Sequence, residues 1–207
     1  MRRQGVMSKD NSKAVVSEEE LLLNYCQDMK SIDLFGAIST ELVLAIKGYL
    51  DKLNFAWRNK KNRDETNLLN LTVTINSAGG EAEQGLAFYD LFKTSKMPVT
   101  TVALGKLASA GLIAFLGGKI RYIYPHTVLM THAASYALAD FEGSKRSGWY
   151  RGRGQDLKIL DRICDQIILN NSKLTKSALA RLQREERLIT AEEAMRYGLA
   201  HGIIKNR

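Results

Sequence analysis

The sequence contains few cysteines, few prolines and no long apolar run. Two cysteines, Cys26 and Cys164, in 207 residues are too few for a disulfide framework or a cysteine-rich zinc site. The longest apolar run, around 107–116, is far shorter than the ~20 residues of a membrane-spanning helix. The opening "MRRQGVMSKDNSK" has two arginines but no apolar stretch after them, which excludes a signal peptide. These absences predict a cytoplasmic protein with no membrane partner.

Positive charge is in excess, with a formal net charge of +8. Much of the excess lies in two stretches, 58–63 and 145–154, both of which we expect to be loops. A basic surface either attracts an anionic partner or is simply solvated. Because no zinc-finger, RRM or helix-turn-helix signature accompanies these stretches, we expect no nucleic-acid partner.

Strands and helices are predicted to alternate along the chain, which is typical of an α/β fold. Residues 1–16 are expected to be disordered, and a capping box of Ser17 and Glu20 predicts a short helix at 18–27. Apolar residues recur at helical spacing from Thr40 to Trp57. The remaining pattern predicts strands at 31–38, 68–76, 98–104, 119–124 and 127–133, and helices at 82–96, 107–116, 155–171, 175–183 and 190–197.

Two glycine-containing turns, "INSAGGE" and "GKLASAG", each follow an apolar strand. Gly79 and Gly80 leave backbone N–H groups free to face an anion. In the second turn Ser109 precedes an apolar helix, and the N–H of Ala110 would point to the same side as its hydroxyl. Two such turns on neighbouring strands could supply two N–H donors and one nucleophile, as acyl transfer requires.

Ser109 and the three histidines each have a structural and a catalytic interpretation. Ser109 could be a small filler that bonds back to a helical carbonyl, or a nucleophile on a tight turn. His126 and His201 are most simply turn or surface residues. His132, at the end of the strand "TVLMTH", could be a core histidine or the general base of a serine nucleophile.

Four blocks in this order resemble the proteolytic subunit of the Clp protease family over roughly 31–204. The resemblance implies a spiral of ββα units with a protruding handle helix, in one domain spanning 17–207. The head would comprise about 17–134 and 172–207, and the handle about 135–171. It further implies a serine endopeptidase without cofactor or metal. The four blocks are "INSAGGEAEQGLAFYDLF", with Ala78 in place of the family's proline, "GKLASAG", "PHTVLMTH" and "ITAEEAMRYGLAHGII".

The resemblance also assigns roles to individual residues. It implies that Ser109 is the nucleophile, that His132 is the base, and that the N–H groups of Gly80 and Ala110 form the oxyanion hole. The family has an aspartate before the last block, and gapless alignment of "REERLITAEEA" places Glu186 there. A slip of one residue would select Glu185 instead, and both could also be solvated charges.

Partners follow from the same resemblance. It implies a peptide or unfolded-protein substrate and a homo-oligomer of heptameric rings, with two stacked rings as an option. Thr72 and Thr74 replace two family tyrosines that dock an ATPase unfoldase, so we expect weak or absent unfoldase binding. The alternative is docking through other side chains, namely Phe88, Tyr89 and Phe92.

Ring contacts also depart from the family pattern. Glu185 occupies the place of a ring-bridging arginine. Salt-sensitive ring contacts are expected from the basic residues near the long helix: Arg151, Arg153, Lys158 and Arg162.

Other functional classes share parts of this pattern. Phage-encoded capsid-maturation proteases have the same fold without an unfoldase, and a catalytically silent ring subunit would not need both Ser109 and His132. A crotonase-type acyl-CoA enzyme would use the paired N–H groups but leave Ser109 without a role. An α/β-hydrolase is excluded because "LASAG" lacks the first glycine of G-x-S-x-G.

Overall fold

The computed structural model describes residues 31–59, 71–135 and 147–205. The predicted disorder at 1–16 and the predicted helix at 18–27 lie outside these residues. The strands are β1 Ser31–Phe35, β2 Leu71–Ser77, β3 Val99–Ala108, β4 Ile120–Ile123, β5 Val128–Met130 and β6 Gly202–Ile203. The helices are α1 Thr40–Asn59, α2 Ala82–Thr94, α3 Ala110–Leu116, α4 Ser147–Asn170, α5 Lys176–Glu185 and α6 Ala191–Arg196.

The strands form a parallel sheet in the order β1-β2-β3-β4-β6, and β5 pairs with β3 outside this path. The central strand β3 changes partner along its length. Its first half, Thr100 to Ala103, pairs with β4, and its last residues, Lys106 to Ala108, pair with β5. As a result, β5 lies beside the end of β3 that leads into Ser109.

The core lies between one face of this sheet and the helices. Alternate residues of β2, Leu71, Val73 and Ile75, are buried, as the period of two in a strand requires. The short helix α3 is buried on all sides, which explains why it is apolar all round. Gly85 of α2 allows close packing on α3, because a methyl group there would lie 2.8 Å from the carbonyl oxygen of Ala110.

A buried arginine ties the sheet to the helices that follow it. Arg121 of β4 is 5% exposed, and its Nε–H donates to the Leu199 carbonyl oxygen at 2.7 Å. Its Nη2 donates to the carbonyl oxygens of Asn171 at 3.0 Å and Gly198 at 3.2 Å. The guanidinium thus joins β4 to the end of α4 and to the chain entering β6.

The structure corrects three sequence-based expectations. Leu107 and Ala108 belong to β3, because they pair with Leu129 and Met130 of β5, so the apolar helix begins at Ala110 rather than at 107. The long helix begins at Ser147 rather than near 155, so residues 147–154 are helical and not a loop. The two phenylalanines named for docking belong to the core, at 0% exposed for Phe88 and 3% for Phe92.

The last finding leaves Tyr89 as the one accessible member of that docking set. Tyr89 is half-buried, and its hydroxyl accepts a hydrogen bond from Nδ2 of Asn171 at 3.1 Å.

Over the described ranges, the helices are too short or too polar for any of them to span a bilayer.

Candidate active site

Three strand ends meet at one edge of the sheet. Strands β2, β3 and β5 are parallel neighbours, so their carboxyl ends lie together, where α/β proteins place their ligand sites. The turn after β2 contains Gly79 and Gly80, β3 leads into Ser109, and β5 leads to Thr131 and His132. The residues predicted as nucleophile, base and oxyanion hole therefore follow adjacent strands, whereas Glu186 follows α5.

The backbone of Ser109 has an uncommon conformation. Its φ of 52° and ψ of −126° match the first central position of a type II′ turn, which favours glycine. Holding a serine there costs about 1–3 kcal/mol, and such strain is concentrated at functional sites. The N–H of Ser109 donates to the Met130 carbonyl oxygen at 3.1 Å, and its carbonyl oxygen accepts from the N–H of Leu112 at 3.0 Å. These bonds to β5 and α3 hold the strained turn.

The Ser109 hydroxyl is not used to stabilise the helix that it precedes. Ser109 stands at the N-cap of α3 without a side-chain cap hydrogen bond, and its side chain is half-buried. Among the described residues its Oγ has no hydrogen-bond partner, so the back-bonding interpretation has no support. The hydroxyl is therefore available for chemistry.

The turn after β2 lies directly against Ser109. A methyl group on Gly79 would lie 2.6 Å from Cβ of Ser109, and one on Gly80 would lie 2.2 Å from the Ile38 carbonyl oxygen. Only glycine fits at either place. The N–H groups of Gly80 and Ala110 donate to no acceptor among the described residues, and both remain available to an anion.

His132 lies two residues beyond the end of β5 and is half-buried. Its Nδ1 is 2.7 Å from the Ala133 carbonyl oxygen. Because a carbonyl can only accept, Nδ1 is the donor in this contact, and in a neutral imidazole the lone pair then lies on Nε2, as a general base requires.

The other two histidines lie apart from this edge. His126 is exposed. Nδ1 of His201 accepts from the backbone N–H of Arg121 at 3.2 Å. Burial lowers the pKa of His201, and the positive charges of Arg121 and Lys93 lower it further.

One cleft joins the nucleophile and base candidates. It has an empty volume of about 410 Å³, part of it open to solvent, and both Ser109 and His132 line it. The described residues along its walls do not include Gly80 or Glu186. The lining residues come from the start of α2, the Ser109 turn, the chain after β5, α4 and α5: Ala82, Ser109, Ala110, Ile113, Thr131, His132, Ala134, Asp161, Cys164, Ile168 and Gln183.

Glu186 lies at the C-terminal end of α5 with an exposed side chain. Its φ of 46° and ψ of 27° form a left-handed cap, and its N–H donates to the Leu182 carbonyl oxygen. Beyond it, Ile189 forms an antiparallel bridge with Leu129 of β5. This bridge is isolated, and among the described residues no hydrogen bond or ion pair joins Glu186 to His132. Its neighbour Glu185 lies 3.8 Å from Nε of Arg187.

The sequence analysis missed the residues of α4 that line the cleft. Asp161, Cys164 and Ile168 follow the i, i+3, i+7 spacing of one helix face, so a carboxylate on an otherwise apolar stripe was the available signal. Oδ1 of Asp161 accepts from the N–H of Ala134 at 2.6 Å. This bond joins α4 to the chain just after His132.

Cys164 is not a competing nucleophile at neutral pH. Burial, together with the negative charges of Asp161, Asp165 and Glu83, raises the pKa of its thiol to about 11. The thiol therefore stays protonated and unreactive. Across residues 31–59, 71–135 and 147–205, no three His, Cys, Asp or Glu side chains are close enough to hold a metal ion.

Comparison with known proteins agrees with this fold. The profile of the Clp protease family matches residues 62–207, and the chain belongs to that family of peptidases. The solved structure of a single-site mutant of ClpP1 from Listeria monocytogenes superimposes with a TM-score of 0.68 at 22% identity. The match covers 90% of this chain and 97% of that chain. The predicted family and the predicted α/β fold class are thereby confirmed.

Proposed function

We propose that the protein is a serine endopeptidase that acts in the cytoplasm on peptides or unfolded proteins. The observation that carries the proposal is the strained turn at Ser109, whose unbonded hydroxyl faces a cleft that His132 also lines. The Ser109 side chain neither caps the helix nor forms another hydrogen bond among the described residues, so the strained backbone has no structural purpose that we can identify. A nucleophile set on a tight turn gives it one.

The reaction follows from the groups at this edge of the sheet. Nε2 of His132 accepts the proton of the Ser109 hydroxyl as Oγ attacks the peptide carbonyl carbon. The negative oxygen of the tetrahedral intermediate accepts hydrogen bonds from the N–H groups of Gly80 and Ala110. The imidazolium then gives its proton to the leaving amine. In the second half of the reaction, His132 takes a proton from water as the water oxygen attacks the acyl carbon, and it returns that proton to Oγ of Ser109 as the acid product leaves.

Glu186 is our candidate for the acid that orients His132. Its alignment with the acid position before the family's last block supports it, and the bridge between Leu129 and Ile189 brings the chain after α5 beside the strand that leads to His132. In this role its carboxylate would replace the Ala133 carbonyl oxygen as the acceptor of the hydrogen bond from Nδ1–H of His132. Glutamate can hold an imidazole as aspartate does, but its extra methylene group requires a different approach.

We further propose a homo-oligomer of heptameric rings, with two stacked rings as an option. Membership of the Clp protease family supports an assembly. The long helix α4 is our candidate for the handle that would join two rings. Lys158 and Arg162 on this helix are exposed, so we expect ring contacts through them to weaken at high salt. Light scattering at low and high salt tests this, and a monomer under both conditions would refute it.

Docking of an ATPase unfoldase should be weak. Thr72 and Thr74 are half-buried on the sheet face opposite the core and lack aromatic rings, which supply much of the energy at docking sites. The same face keeps Tyr122, which follows Thr74 through Val102 in the strand register and is 39% exposed. The test is a pull-down with a Clp-type unfoldase and ATP, with degradation of a folded tagged substrate as the readout. Robust degradation would show that the threonines do not prevent docking.

A fluorophosphonate probe tests the proposed chemistry directly. We expect it to label the purified oligomer at one site, and mapping of the labelled peptide should identify Ser109. Peptidase activity should disappear in parallel with labelling. An unlabelled protein that assembles but cleaves nothing would instead be a catalytically silent ring subunit.

A further inference from the structure

The cleft beside Ser109 contains a single charged side chain among its described lining residues. This is Asp161, which is half-buried. Neither lysine nor arginine lines the described part of the cleft. The wall next to Asp161 is apolar, formed by Ile113, Cys164 and Ile168. A ligand in this cleft therefore meets an apolar surface that ends in a carboxylate.

The Asp161 carboxylate is oriented and still has an oxygen to offer. Oδ1 accepts from the N–H of Ala134 at 2.6 Å. Within the part of the chain that the structure describes, Oδ2 has no hydrogen-bond or ion-pair partner. A carboxylate oxygen held in place and left unpaired is suited to a cation or another strong donor.

The described carboxylates near Cys164 are opposite in sign to the net charge of the whole chain. Asp161, Asp165 and Glu83 all act on Cys164 with negative charge, whereas the formal net charge of the chain is +8. An anionic side chain would therefore be repelled inside the cleft and a cationic one attracted.

We infer that Asp161 makes the cleft selective for substrates with a lysine or arginine side chain next to the scissile bond. The aliphatic stem of that side chain would lie along the apolar wall, and its cationic end would meet Oδ2 of Asp161. This inference rests on the proposed function, since it concerns the same cleft. It makes Asp161 a specificity-determining residue for peptide hydrolysis.

The test compares two peptides that differ only in one side chain, lysine or norleucine, on the acyl side of the cleaved bond. We expect the wild-type oligomer to prefer lysine about tenfold in kcat/KM, the value of one charge-assisted hydrogen bond. In Asp161→Asn the ratio should fall to about one, because asparagine can still accept from Ala134 but carries no charge. The change should appear mainly in KM of the lysine peptide.

The matched control is Asp165→Asn. Asp165 lies one turn further along α4, and its Oδ1 accepts from Nε2 of Gln183 at 2.6 Å. Asparagine keeps that acceptor, and Asp165 does not line the cleft. We therefore expect the lysine preference to survive this substitution, whereas loss of the preference in both variants would assign it to general charge and overturn the inference.

A binding measurement separates this inference from the proposed function. Fluorescence anisotropy with the intact peptides and the Ser109→Ala oligomer needs no catalysis, and we again expect about tenfold tighter binding of the lysine peptide. Such a preference, abolished by Asp161→Asn, would support the inference even if the wild-type protein hydrolysed nothing. Equal binding of the two peptides, or an equal loss of both on Asp161→Asn, would overturn it while leaving the serine-peptidase proposal intact.

Discussion

In the part of the chain that the structure describes, two turns place a non-glycine residue at positive φ, and the two conformations differ. Glu186 has the left-handed conformation that commonly ends helices, on an exposed turn after α5. Ser109 has a ψ of −126°, outside that region, at a half-buried junction of β3, β5 and α3. The first conformation is a common helix ending. The second is costly, and the nucleophile role that we propose for Ser109 gives this cost a purpose.

The two turns are also held differently. Ser109 is fixed by backbone bonds to β5 and α3 and by the close approach of Gly79. The turn at Glu186 is held by the bond from its N–H to the Leu182 carbonyl oxygen and by the next residue, Arg187, which donates to both carboxylate oxygens of Glu193 at 3.1 and 3.0 Å. The Ser109 turn is therefore held by the sheet and a buried helix, whereas the Glu186 turn is held within the chain segment from α5 to α6. The first arrangement suits a nucleophile, which must keep a fixed position.

The largest effect is expected from Ser109→Ala. It should lower kcat on the order of 10⁶-fold and abolish fluorophosphonate labelling, because the nucleophile is lost, while circular dichroism stays unchanged. His132→Ala should do nearly the same. Ser95→Ala is the matched control, since Oγ of Ser95 bonds Oδ1 of Asn54 at the other end of α2. Undiminished cleavage by Ser109→Ala would end the serine-peptidase interpretation.

The next effect concerns the turn at Glu186. Glu186→Gln should lower kcat by roughly 10²- to 10⁴-fold through misorientation of His132, and Glu185→Gln should have a much smaller effect. Steady-state kinetics on one peptide measures both. Two equally small effects would indicate a Ser-His dyad in which the Ala133 carbonyl oxygen orients the base.

Glycine substitutions compare the strain of the two turns. Ser109→Gly should raise the free energy of unfolding by about 1 kcal/mol, because relief of strain exceeds the entropy cost of glycine. Glu186→Gly should raise it by less than about 1 kcal/mol, since a left-handed cap is less strained. Urea denaturation at one protein concentration measures both. A larger gain at Glu186 would reverse the comparison.

The smallest effect is a pH dependence at the Glu186 turn. Hydrogen bonds from Arg187 lower the pKa of Glu193 below its usual 4.5. The stabilisation by this pair should therefore be present above about pH 4.5 and be lost as the pH falls through the lowered pKa. The difference in urea midpoint between wild type and Arg187→Gln should shrink from pH 7 to pH 3, with Arg184→Gln as the control. A constant difference would mean that the pair does not act through ionised Glu193.

Much of the fold followed from local pattern. The apolar spacing from Thr40 predicted α1, which the structure extends to Asn59. The two glycine-containing turns after apolar strands indicated that both could contribute to one site, and the structure places Gly79 against Ser109. Strand and helix periods are properties of neighbouring residues, so they can be read along a single chain. The four family blocks led us to predict His132 as the base, whereas periodicity alone left it as a possible core residue.

Where the local pattern was ambiguous, only the tertiary structure decided to which element or face a residue belongs. Leu107 and Ala108 are apolar in either element, and pairing with β5 assigns them to β3. Phe88 and Phe92 could face solvent or the core, and packing of α2 buries both. The place of Asp161 in the cleft depends on which face of α4 meets the chain after β5. Contacts between distant segments determine that choice, and no local spacing encodes them.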